Sequence, residues 1–140
     1  QKTIHISSQT LAVSSIKEAV EWLAVEQSMY WQLHYTWEHV AKKRMQGMGQ
    51  DSIHLLIINA IVPYQFFYGH YFDLPEVIDN ALHLLSLLPP ENNTIMQKWK
   101  ELELKPKDAY ESQGLIGLYT HLCQEKKCLE CPIGQQIIQK

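Results

Sequence analysis

The stretch from Ile53 to about Tyr68 constrains the fold more than any other part of the chain. Leu55 to Ile58 and then Ala60 to Val62 supply apolar residues to nearly every side of a helix, the pattern of a helix enclosed by others. Pro63 lies inside this run, where it removes one backbone donor and crowds the carbonyl of Asn59. A kink between Asn59 and Pro63 follows, with the Asn59 side chain as a partner for displaced backbone groups. The run is broken by Asn59 and ended by Pro63, short of the ~20 residues that cross a bilayer. It reads as core, and no membrane partner is expected.

Capped helical patterns surround this centre. Ser15 and Glu18 have capping-box spacing, and Ile16, Ala19, Val20, Leu23 and Ala24 share one face, so a helix is predicted over about 15–27. Residues 1–14 read as an irregular lead-in, since Thr3-Ile4-His5-Ile6 alternates too briefly to mark a strand. The aromatic stretch from Tyr30 to Trp37 suits a short helix or an arm packed on the domain. Lys42 to Gln50, with Gly47 and Gly49, reads as a connection before Asp51 or Ser52 caps the central helix. Pro75 and Glu76 open a further helix carrying Val77, Ile78, Ala81, Leu82, Leu85 and Leu88, which Pro89-Pro90 ends. Asn92 or Asn93 caps a helix with Ile95, Met96, Trp99 and Leu102 on its apolar side. Asp108 and Glu111 repeat the cap-plus-acid spacing before Leu115, Ile116, Leu118, Tyr119 and Leu122.

The fold class expected is all-α: a compact orthogonal helical domain of about five to seven helices, ending in a cysteine-containing turn. The 140 residues, 46% of them hydrophobic, suffice for one core, so a single domain is the default. Its predicted core comprises Leu23, Leu56, Ile57, Ala60, Ile61, Phe66, Ile78, Leu82, Leu85, Trp99, Ile116, Tyr119 and Leu122. The formal charge is -3 and the twelve Lys and Arg are scattered, which leaves a stand-alone nucleic-acid binder without its electrostatic footprint. The chain opens on no basic start followed by an apolar stretch, and its three clustered cysteines do not form a disulfide framework. A cytoplasmic location is expected. A first residue of Gln rather than Met carries the expectation of further chain upstream.

Cys123-x4-Cys128-x2-Cys131, followed by Pro132-Ile133-Gly134, is the most specific local pattern. Two cysteines separated by two residues can turn their thiolates toward one cation, so a structural zinc ion is chemically sensible. The fourth ligand is open. His121 stands about 200° around a helix from Cys123 and joins only if that helix frays, while His54, His70 or His83 would arrive through the fold. The alternative is three reduced cysteines packed as small hydrophobes. The segment is also similar to the cluster loop of helical DNA glycosylases, yet Ile137 stands where a last cysteine is needed and three ligands leave a cluster iron unsatisfied. His34 and His39 flank Glu38, but without the His-Glu-x-x-His spacing of metalloprotease helices. Ser52 and Ser112 lack the Gly-x-Ser-x-Gly context, and no Walker or dinucleotide glycine pattern is present. The polar runs Glu91-Asn92-Asn93 and Asp108 to Gln113 are explained by capping before any ligand is invoked.

Taken together, several of these motifs resemble one bacterial family, the domain of unknown function 2851, over about residues 15–140. The resemblance rests on Tyr30-Trp31 with His34-Tyr35, Leu56-Ile57-Ile58-Asn59 with Pro63, Tyr68-Gly69, Leu88-Pro89-Pro90-Glu91-Asn92-Asn93, Ala109-Tyr110-Glu111-Ser112-Gln113, and Cys123 with Cys128 to Gly134. Gly114 departs from the family's Ser-Gln-Ala and weakens that turn of helix. The resemblance implies that the chain is the C-terminal part of a longer parent whose N-terminal region carries motifs similar to metal-dependent nucleases. It implies no activity and assigns no catalytic residue here. The expectation is a non-catalytic helical module that packs against that N-terminal region or another protein. The alternative is an accessory domain of a nucleic-acid-processing enzyme, with Lys42-Lys43-Arg44 and Lys126-Lys127 as its basic clusters.

Overall fold

A computed structural model describes residues 6–24, 27–42 and 47–138. Among these the protein is all-α, and the pairing of His34 with Val40 is an isolated bridge rather than part of a sheet. The helices are α1 (Ile6–Ala12), α2 (Ile16–Leu23), α3 (Met29–Leu33), α4 (Gln50–Leu56), α5 (Val62–Tyr71), α6 (Pro75–Ser86), α7 (Thr94–Glu101), α8 (Ala109–Leu118) and α9 (Pro132–Ile138). Two π-helical segments, Ile57–Ile61 and Tyr119–Cys123, follow α4 and α8. The contacts gather into two compact units, Gln1–Leu84 and Leu85–Lys140. The alternation at Thr3 to His5, the basic residues Lys43 and Arg44, and Val25 and Glu26 lie outside the described residues, while the helix expected over about 15–27 ends at Leu23, with Ala24 as its cap.

In the first unit, α4, the π segment and α5 run on as one helix from Gln50 to Tyr71. Pro63 accounts for the π turn. Without its N–H the carbonyl of Asn59 loses its α-helical partner, and the Val62 N–H instead reaches the carbonyl of Ile57, five residues back. The Asn59 amide donates to the carbonyl of Leu55 at 3.0 Å, the role the sequence assigned to it. The proline therefore widens the helix by one residue rather than breaking it. Ile53, Ile57, Ile61, Gln65 and Gly69 stay on one buried seam through the widened turn.

The expectation of a helix enclosed on all sides is corrected. Only the seam, with Ile58 and Val62 beside it, is buried, while Leu55, Leu56, Tyr64, Phe66, Phe67 and Tyr71 are exposed. Leu56, Ala60 and Phe66 of the predicted core are therefore outside it; Ile57, Ile61, Leu85 and Trp99 are buried, and the other six are partly covered. At 22 residues the continuous helix is also longer than the apolar run, and by length and composition alone it could cross a membrane.

Residues 6–12 of the lead-in are helical, not irregular. The signal is absent locally because a seven-residue helix has little stability of its own. It comes from across the unit. The fully buried Gln65 amide donates to the carbonyls of Thr10 and Val13, both at 2.8 Å, and Asn80 of α6 donates to Val13 at 2.8 Å and to the Gln65 oxygen at 3.1 Å. These two amides satisfy carbonyls that the end of α1 leaves without helical partners. Gly69 lets α5 and α6 approach, since a Cβ there would lie 2.8 Å from Ile78 Cγ1 and 3.0 Å from the Leu74 carbonyl oxygen.

Helix starts follow the sequence closely. Ser15 accepts from the Glu18 N–H at 3.2 Å, Asn93 from that of Met96 at 3.0 Å, and Asp108 from that of Glu111 at 2.9 Å. At α4 the cap is Gly49 rather than Asp51 or Ser52, with no side-chain bond. Asp51 instead lies in the first turn, where its charge complements the helix dipole.

Candidate functional site

The residues singled out for chemistry are occupied structurally. In the second unit the Ser112 hydroxyl is fully buried; it donates to the Ala109 carbonyl at 3.1 Å and accepts the Glu91 N–H at 3.1 Å. The Glu91 carboxylate accepts from Gln113 at 2.6 Å and from Asn93 at 2.9 Å. The two polar runs therefore bind each other, fastening the loop after α6 to α8, and the Ala109 N–H adds a bond to the Leu88 carbonyl at 2.9 Å. Among the described residues no carboxylate or imidazole hydrogen-bonds the Ser112 hydroxyl, whose bonds are to the Ala109 carbonyl and the Glu91 N–H. Beside it a groove of about 420 Å³, bordered by Asn92, Gln97, Lys100 and Lys105, is open and shallow.

The histidines divide in the same way. His34 stacks on Tyr30 with ring centroids 4.0 Å apart, and its Nδ1 lies 2.9 Å from the Tyr30 carbonyl. His39 contacts the Thr36 hydroxyl at 3.1 Å, and Trp31 and Trp37 complete a self-packed aromatic loop. Nothing in it converges on a reaction centre.

Of the three cysteines, Cys131 is buried and Cys123 and Cys128 are exposed. Among the described residues no three His, Cys, Asp or Glu side chains gather into a group able to hold a metal ion, and His121 is exposed in the π segment with Cys123. The segment has a firm geometry nonetheless. Lys126, at φ 55°, closes the helix with bonds from Lys126 N–H to the Cys123 carbonyl at 3.1 Å and from Lys127 N–H to the Leu122 carbonyl at 2.8 Å. Gly134 lies against Cys128 so closely that a Cβ would fall on its carbonyl group.

The feature that sequence reasoning missed is a surface. An apolar groove of about 490 Å³ in the first unit is bordered by Ile6, Trp22, Leu23, Leu56, Ala60 and Tyr64. Its helical wall continues as a ridge, because Leu56, Ala60, Tyr64, Phe67 and Tyr71 follow one another at steps of three or four residues; the first three flank the buried seam, about 100° from it, and Phe67 and Tyr71 stand nearly opposite it. Phe67 is 68% and Tyr71 72% exposed, and their rings lie 6.1 Å apart. The signal was present as apolar residues on both sides of one helix, which was read as burial all round. The Lys and Arg residues are also less scattered than they first read. Between Arg44 and Lys98 the sequence has none, but holds Asp51, Asp73, Glu76, Asp79 and Glu91.

No curated protein and no solved structure matches the chain. A family match covers residues 1–94, including the aromatic loop, the π turn, Tyr68-Gly69 and the loop from Leu88 to Asn93, and stopping before α8 and the cysteines. With 94 of its 140 residues matched, the chain belongs to the family described as "Protein of unknown function (DUF2851)".

Proposed function

We propose that this chain is a non-catalytic helical docking module whose working surface is the apolar groove and ridge of the helix from Gln50 to Tyr71. The carrying observation is the apolar strip Leu56, Tyr64, Phe67 and Tyr71, which leaves the flank of a well-packed seam and ends in the widely exposed Phe67 and Tyr71. Phe67 and Tyr71 lie largely outside the packed core, and a contiguous apolar surface of this kind is characteristic of an interface with another polypeptide. The occupant is a region upstream in the parent chain or a second protein. An accessory role on nucleic acid has less support, since the ridge has no Lys or Arg and Lys126-Lys127 stand between Glu125 and Glu130.

The test is a photo-crosslinking amino acid placed at position 67, with position 120 of the second unit as control, in cells producing the parent protein. Adducts to polypeptide concentrated at 67 are expected. Adducts to nucleic acid at either position, with salt-sensitive binding by the purified chain, would transfer the assignment to the accessory role. Equal adduct levels at 67 and 120 would remove the ridge as a docking surface.

A further inference from the structure

We draw no further inference here: the strongest candidate, the apolar groove of the first unit with the ridge that runs on from it to Phe67 and Tyr71, is the surface already assigned above, and nothing in the structure shows what covers it.

Discussion

Gln65 shows how much one side chain can fix. It has no exposed surface, and its amide spans from α5 to two carbonyls at the end of α1. Gln65→Met keeps the volume but leaves the Thr10 carbonyl without its donor, so a loss of about 1–3 kcal/mol is expected in urea denaturation; an unchanged midpoint would mean that water replaces the amide freely. Gly69→Ala should cost a similar ~1–3 kcal/mol, because the contacts at 3.0 and 3.1 Å are to the Leu74 carbonyl and the Ile78 backbone nitrogen, which cannot rotate away as a side chain would. Neither role was legible in the sequence. A glutamine amid apolar residues and a glycine inside a helix become informative only when the opposing segment is known. The thiols give a separate test. Cys123 and Cys128 should react promptly with a thiol reagent and Cys131 only on unfolding. Stoichiometric zinc in protein purified without chelator, with all three thiols protected, would contradict that pattern and favour the metal reading of their spacing.

Helix starts and helix ends differ in how they are written. The starts at Ser15 and Asp108 are local and were legible, because cap and acid stand three residues apart. Glu18 also accepts from the Ser14 N–H at 2.8 Å and Glu111 from the Lys107 N–H at 2.9 Å, and these bonds hold both carboxyls below the ordinary glutamate value. With folded-state values depressed, the associated stability is fully present above the ordinary glutamate range and is lost as pH falls through the lowered values. NMR titration should place both glutamates below a reference peptide, and Glu18→Gln should flatten part of the acid dependence of stability. Three helix ends instead use non-glycine residues at positive φ: Asp73 at 53°, Glu103 at 62° and Lys126 at 55°. At Glu103 the Leu104 N–H bonds the Trp99 carbonyl at 3.0 Å and the Glu103 N–H that of Lys100 at 3.0 Å, completing the wrapped turn. Glu103→Gly and Lys126→Gly are each expected to raise stability by about 0.5–1 kcal/mol, since glycine relieves the left-handed strain at the expense of a more flexible unfolded chain. A lower melting temperature for both would show that these side chains hold the turn through other contacts. Without glycine, the residue that takes the left-handed position at these ends carried no mark in the sequence.

Across the molecule, the all-α class and most helix boundaries could be read from periodicity, while the orientation of the central helix could not. A helix with apolar residues on both sides offers two candidate seams, and the choice was made by Gln65, Gly69 and the arrival of α1. Stability should follow the chosen seam. Leu84→Ala, which empties a fully buried site, is expected to cost about 2–5 kcal/mol, whereas Phe67→Ser and Tyr71→Ser should each stay within about 0.5 kcal/mol of the parent. A large loss from either ridge variant would mean that the ridge supports the fold as well as facing outward. The π turn at Ile57–Ile61 has a consequence for the kinds of change this chain tolerates. Buried positions spaced four apart advance about 40° at each step of an ordinary α-helix, and the one extra residue in the wide turn resets that advance. Chain length is therefore itself a structural quantity here. Many single substitutions in the turn alter only one contact, but loss of any one residue from it would swing everything beyond by about 100°, carrying Gln65 and Gly69 out of the interior and exchanging the hidden side of the helix for the one it presents.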